Sequence, residues 1–387
     1  MSYPMTRQRR FDPPDELFDD PAPVRPLTFA DGHQGWLVTG HAAGRAVLAD
    51  PRFSTVPRRL HPLLASRRVP EGEVPPGFFL RMDAPEHTHY RRLLTGQFTV
   101  RRMNQLRARI EEITAARLDD MERAGPPVDL VRTFALPIPS LVICELLGVP
   151  YDDREQFQRD TTELLRLANS PEQLTAKVGD LITYVYTLVA RKRAEPGHDM
   201  LTGLVDSGEL SDDEIAGMGF LLLVAGHETT ANMLALGTFA LLQHPEQLAL
   251  VRDDPSVIDN AVEELLRYLS IIHFGATRAA VEDVTIEGTL IKAGDCVAVS
   301  IPAANRDPAR YADPAVLDVR RPAGGHLSFG HGIHQCLGQQ LARIEMRVAY
   351  PALLGRFPAL RLAVPVDAVP MRSDMSIYGV HALEVAW

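Results

Sequence analysis

The stretch Phe329-Gly-His-Gly-Ile-His-Gln-Cys336-Leu-Gly-Gln-Gln-Leu-Ala-Arg343 decides how the chain is read. Gly330 and Gly332 permit tight turns that bring bare backbone N–H groups close to whatever the loop faces. A helical pattern begins past the cysteine, with Leu337, Leu341, Ile344 and Val348 on one face, and aims its positive end back at the sulfur. Those surroundings favour a thiolate, which is a metal ligand or a nucleophile.

Outward from that loop, the composition is that of an ordinary globular protein: 387 residues, 45% hydrophobic and 23% charged. A formal net charge of −10 argues against a general nucleic-acid binder. Three cysteines imply no disulfide framework, and the polar, Pro-rich first twenty residues carry no apolar signal core. No apolar run reaches the roughly 18–20 residues needed to span a bilayer. The expectation is a cytoplasmic monomer with no membrane anchor, folded as one domain over 1–387.

The longest helical pattern runs from Ser211 to His244. Ser211-Asp-Asp-Glu214 forms a capping box and Pro245 marks the stop. The segment is apolar nearly all round, the mark of a helix buried through a domain centre. Its middle nevertheless reads Ala225-Gly226-His227-Glu228-Thr229-Thr230. Thr229 could bond back to the Ala225 carbonyl, a purely structural role. Glu228 has no such excuse, and a buried ionisable group points to function.

Elsewhere the pattern predicts a hairpin around Asp31-Gly32, a helix over 41–49, and helices over 102–124, 139–147, 152–168 and 172–193. A second hairpin is expected around Glu287-Gly288, with a strand over Cys296–Ile301. The Pro- and Arg-rich loop 54–80 is too long to be accidental in a compact domain. Between His87 and Ile110 stand Arg91, Arg92, Arg101, Arg102, Arg107 and Arg109 with no carboxylate, a candidate docking face for an acidic partner. Cys144 and Cys296 read as packed thiols, and Glu264 with Arg267 as an i, i+3 surface pair.

Three readings of Cys336 compete. His331, His334 and Cys336, with His326 nearby, could hold zinc, but no second ligand pair occurs at a common spacing. A cysteine nucleophile would need His334 to fold back as its base. Neither uses Glu228 and Thr229. A haem held by the thiolate uses both, because the face opposite the sulfur needs a proton source in a dry pocket.

Four separated motifs then agree with one family: Phe329-x-x-Gly-x-His-x-Cys-x-Gly, Ala225-Gly-x-Glu-Thr229, Glu264-x-x-Arg267, and Asp83-Ala-Pro-Glu-His87 with Arg91. The chain resembles the cytochrome P-450 family, of the soluble bacterial type that tailors secondary metabolites. The resemblance implies a mainly α fold with a small β region, and a long central helix crossing a buried haem b. It makes Cys336 the iron ligand with Phe329 packed beside it. His87, Arg91, Arg278 and His334 would neutralise the propionates, and Ala225 and Gly226 would line the oxygen groove. Thr229 and Glu228 would relay protons. Glu264 and Arg267, with Arg320 or Arg321, would form a buried network instead of the surface pair. The implied activity is hydroxylation or epoxidation of a lipophilic molecule (a macrolide or polyketide, terpenoid or sterol-like compound) by O2. Electrons would come from NAD(P)H through a ferredoxin reductase and a ferredoxin, since the chain carries no flavin or iron–sulfur motif. A peroxide-driven enzyme of the same fold typically lacks the acid–threonine pair, and a haem sensor would need a signalling domain. The substrate pocket should draw on 58–80, Ala225, Ile272 to Phe274 and Ser376-Ile377.

Overall fold

The computed structural model describes residues 1–65, 73–98, 100–150, 153 and 160–387, with the side chains at 100, 101, 104 and 171 left out. Arg67 and Arg68, the Arg101 side chain and part of the 152–168 pattern therefore lie outside the described residues.

Gly32, at φ +90°, turns β1 (Val24–Thr28) back onto β2 (Gln34–Val38), antiparallel with Val24 opposite Val38. After α1 (His41–Ala49) and the short β3 (Phe53–Ser54), the chain becomes helical through α2 (Glu86–Thr95), α3 (Val100–Ala124), α4 (Pro137–Leu147), α5 (Pro171–Ala194) and α6 (Met200–Ser207), interrupted by β4 (Val128–Asp129).

α7 (Asp212–Gln243) is the central helix, 32 residues and so about 48 Å long. Its start is fixed by both halves of the capping box. Ser211 N donates to Glu214 Oε2 at 2.7 Å and Glu214 N to Ser211 Oγ at 3.3 Å. Residues 215–220 and 230–241 are buried on every side, as α4 and α5 flank the helix and α11 (Gln339–Arg356) packs beside it.

α8 (Pro245–Asp253) and α9 (Ile258–Leu269) lead into β5 (Ala276–Ala280), the hairpin β6 (Val284–Ile286) and β7 (Thr289–Ile291), then β8 (Cys296–Val299). The strand expected to reach Ile301 stops at Val299. Ser300 Oγ accepts from Ala303 N and caps α10 (Ile301–Ala304), where Pro302 cannot serve a sheet ladder. Among the described residues the main sheet has the order β1-β2-β8-β5-β3, with β2 and β8 parallel. The β-prone tail contributes β10 (Glu384–Ala386), which pairs with β4 and β9 (Arg361–Leu362).

Glu264 and Arg267 are both fully buried and joined at 2.7 Å. Arg321, not Arg320, supplies the third member, its Nε 3.2 Å from Glu264. Arg267 also donates to the carbonyls of Asn305, Pro314 and Val316, so this cluster ties α9 to the meander before the signature loop.

Candidate haem-thiolate site

Gly330 and Gly332 take φ of +68° and +73°, and Cys336 N closes the loop on Phe329 O at 2.8 Å. The following helix starts at Gln339, not directly after the cysteine, so the sulfur is met by the Gly338 N–H and the charges of Arg91 and Arg343. Although the residue is accessible, desolvation by the protein packed around the sulfur outweighs all three and raises the thiol in the metal-free chain, where the sequence predicts a favoured thiolate. A thiolate here therefore needs a cation at the sulfur. Of the three cysteines, Cys144 and Cys296 are buried within α4 and β8, and Cys336 is accessible.

A brace invisible to the motif search holds this loop. Glu263 accepts from Arg343 at 2.6 and 2.9 Å and pairs with His326 at 3.1 Å. Burial opposes its ionisation, but those partners hold its carboxyl down at about 2. Arg343 in turn lies over the Phe329 ring, 4.5 Å from its centroid. Glu263 thus clamps both ends of the cysteine loop from α9. Sequence reading missed it because its neighbour Glu264 carried the recognisable motif. Both His326 nitrogens are taken, Nε2 by Glu263 and Nδ1 as acceptor from Ser328 N at 3.2 Å, and among the described residues no group of metal-ligating side chains forms at this loop, so the zinc reading fails. Among the described residues no imidazole is hydrogen-bonded to Cys336, so the nucleophile reading fails too.

Beside the loop, four expected residues converge. His87 is 1% exposed and neither ring nitrogen has a hydrogen-bond partner. His334 packs on it with ring centroids 4.2 Å apart; its Nε2 reaches Thr55 Oγ1 at 3.4 Å while Nδ1 is orphaned. Arg278, on β5, is buried and bonds Thr277 O at 2.9 Å. Burial, then Arg81, brings its guanidinium down to about 10. His334 falls to about 3, from burial and then the charges of His87 and Arg278. Asp83 is the carboxylate acting on this cluster, and it is committed to Ser54 Oγ at 2.5 Å and Thr55 N at 2.9 Å. Arg91, whose charge acts on both His87 and His334, also donates to Gln335 O at 2.6 Å, which ties α2 to the cysteine loop. The cluster is short of anions.

On α7, Ala225 is accessible and Thr229 half-buried, so one face of the central helix is left uncovered at its middle. Gly226 does not belong to that face. A Cβ there would lie 2.8 Å from Ile143 Cδ1, so its smallness serves packing against α4 and not the expected oxygen groove. Thr229 Oγ1 donates to Ala225 O at 2.9 Å, the backbone bond foreseen from sequence. Glu228 is 1% exposed, but it has partners. It accepts from Thr162 Oγ1 and from Asn232 Nδ2 at 3.2 Å, and Arg372 Nη2 lies 3.0 Å from its Oε2. The Arg372 contact is a charge contact without hydrogen-bond alignment. His227 joins Thr161 Oγ1 at 2.8 Å and Leu223 O at 3.0 Å. Arg372 went unnoticed in the sequence because a pairing across 144 positions leaves no local pattern.

Comparison with known proteins decides the family. The family model described as Cytochrome P450 matches residues 196–374. "Cytochrome P450 105C1" of Streptomyces sp is 52% identical over 100% of this chain and 98% of its own. The chain belongs to the cytochrome P450 family. "Vitamin D3 dihydroxylase" of Streptomyces griseolus is 44% identical over 100% of this chain and 97% of its own. The solved cytochrome P450 CYP105P1, in complex with filipin I, superposes with a TM-score of 0.94 at 44% identity, over 100% of this chain and 98% of that one. Cytochrome P450 enzymes are oxidoreductases whose haem is held by a cysteine, and they take O2 and electrons from redox partners.

The residues present fit that cofactor. Orphaned His87 and His334 nitrogens beside Arg278 suit a group bearing two carboxylates, and an accessible Cys336 whose thiolate needs a cation suits its iron. Among the described residues no helix is long and apolar enough to cross a membrane.

Proposed function

We propose that this P450 hydroxylates or epoxidises a lipophilic small molecule, with Cys336 as the iron ligand and His87, Arg91, His334 and Arg278 as the propionate partners. The observation that carries the reading is the anion-poor cluster of His87, His334 and Arg278 beside the one accessible cysteine. When bound, the haem supplies dioxygen activation, helped by the electron push of a thiolate. The chain's own residues bind, orient and move protons.

Thr229 Oγ1 can exchange its bond to Ala225 O for a donor role on the uncovered face, and Glu228, one position back, can resupply it after swinging from Arg372. Ala225, Phe78, Ile272, Phe274 and Ile377, apolar members of the segments expected to face the substrate, are assigned to a mainly apolar substrate wall. A macrolide or polyketide, terpenoid or sterol-like substrate fits that wall, and relatives named for vitamin D3 and bound to filipin I support it. Electrons would arrive from a ferredoxin and its reductase at the basic segment 91–109 of α2 and α3. On α2 Arg92 is already paired with Glu209 and on α3 Arg109 with Glu145, while Arg107 of α3 is exposed at a groove bordered by Arg347 and Arg356. The reading takes 1–387 as one domain acting as a cytoplasmic monomer, in keeping with its composition and its three unpaired cysteines.

Thr229→Ala tests the proton role. The variant should keep consuming NAD(P)H with ferredoxin and reductase while product falls and peroxide rises. Unchanged product would overturn the assignment. A screen of lipophilic compounds for the low-to-high-spin shift of the haem identifies the substrate class.

A further inference from the structure

Among the described residues, one group of histidine, cysteine and carboxylate side chains converges away from the haem-thiolate site. His33 lies in the turn of the β1–β2 hairpin, His61 two positions past the Pro57–Arg59 turn, and Cys296 opens β8. Each offers one ligand atom, and the three atoms lie within 4.8 Å of one another. We propose that His33, His61 and Cys296 form a binding site for a borderline-soft divalent cation, zinc before others, which pins the N-terminal hairpin and the start of the long loop to the main sheet.

The donor set is the first argument. Two imidazoles and a thiolate suit zinc, with water completing a tetrahedron; calcium and magnesium call for oxygen donors. The second argument is the support behind one ligand. Asp31 Oδ2 lies 2.7 Å from His61 Nδ1, which turns the other ring nitrogen into a free donor and fixes the tautomer, the arrangement that typically backs a metal-bound histidine. The third is an unmet need. His33 Nε2 is buried without a hydrogen-bond partner, a cost that a metal bond would remove.

The metal-free geometry shows what binding must change. The two imidazoles are stacked, with centroids 3.7 Å apart and planes within 5°. Lone pairs in parallel planes cannot meet on one ion, so one ring has to turn about its Cβ–Cγ bond. His33, in a hairpin turn flanked by exposed Asp31 and Gly32, has the room. Cys296 Sγ makes a long 3.4 Å bond to Arg59 O, and burial raises its thiol to about 11. Coordination therefore breaks the S–H bond as the metal–sulfur bond forms, and the proton leaves to solvent. The sequence reading treated Cys296 as packing only.

The test uses haem-loaded enzyme and Zn2+ alone. After dialysis against buffered ZnCl2, the protein should retain one zinc per chain with an unchanged haem spectrum. X-ray absorption at the zinc edge should show one sulfur and two imidazole neighbours. His33→Ala should weaken binding at least tenfold, and Asp31→Asn by about 10–100-fold, the usual effect of removing a ligand's support. Cys296→Ser should remove the sulfur signal. Should that buried variant fail to fold, His33→Ala at the hairpin turn still decides. Zinc should also raise the thermal midpoint of the parent protein and not of His33→Ala. Retention no greater than that of a His33→Ala/His61→Ala double variant, a zinc shell without sulfur, or equal affinity in His33→Ala would each overturn the proposal.

Discussion

Replacing the partners of the Glu228–Arg372 contact, singly and together, separates what this pair does for the fold from what Glu228 does for chemistry. Glu228 is 1% and Arg372 6% exposed, so either charge left alone is stranded in a nearly dry interior. Breaking such a pair typically costs about 3–5 kcal/mol, whereas replacing both members is often neutral or stabilising. The two single changes should differ. Arg372→Met leaves a carboxylate that keeps Thr162 and Asn232 as donors and can also take up a proton, which places it near the low end, about 3 kcal/mol. Glu228→Gln leaves a guanidinium that cannot deprotonate and whose Nε and Nη2 lack aligned acceptors, which places it nearer 5 kcal/mol, roughly the top of that range. Glu228→Gln/Arg372→Met should recover most of the loss. The assay is a urea midpoint by far-UV circular dichroism, run beside product formed per NAD(P)H consumed. If Glu228 carries protons, the double variant regains stability but not coupling. If it is structural only, both return together. Single variants within about 0.5 kcal/mol of the parent, the usual range for surface changes, would refute the buried-pair reasoning.

Other consequences are simpler to measure. Arg267→Ala leaves Glu264 with Arg321 and the Asp318 N–H alone, strands the carbonyls of Asn305 and Pro314, and should cost about 3–5 kcal/mol; a shift under 1 kcal/mol, about the size of an exposed ion pair, would contradict the buried network. His273, 2% exposed and bonded to Met375 O at 2.9 Å, is lowered by burial to about 4. The unfolded chain binds its proton more tightly, so stability from this group is full above about pH 6.5 and falls as pH drops towards 4. From pH 7 to 5 the parent should lose about 2 kcal/mol more than His273→Gln, and equal slopes would dismiss the effect. Arg102→Glu with Arg107→Glu should slow reduction by ferredoxin, with the defect fading at high salt. Rates unaltered at every ionic strength would remove α3 as the docking face.

What was legible in the sequence was legible for local reasons. The capping box at Ser211 and the Pro245 stop set the ends of the central helix, and Asp31-Gly32 set the first hairpin. Each depends on residues within four positions of one another. The Cys336 loop and the Glu264-x-x-Arg267 pair were readable in the same way, although burial of that pair came only from the family resemblance. The rest depends on contacts across the chain. Parallel pairing of β2 with β8 joins residues some 260 positions apart. Glu263 clamps a loop 80 positions away, and Arg372 answers Glu228 from the C-terminal segment. Gly226 looked like part of the oxygen groove because motif position does not say which way a missing Cβ points. The thiolate expected at Cys336 rested on bare N–H groups and a helix end, without the desolvation of the sulfur, which sequence does not show.

The central claim is that Cys336, and no other cysteine, holds the haem iron. The reduced, carbon monoxide-bound spectrum tests it most directly, because a thiolate opposite carbon monoxide moves the Soret band to the long-wavelength position that gives the family its name. The parent, Cys144→Ser and Cys296→Ser should all show that band, and Cys336→Ser should lose it. Retention of the band in Cys336→Ser, or its loss in Cys296→Ser with the haem still bound, would contradict the account.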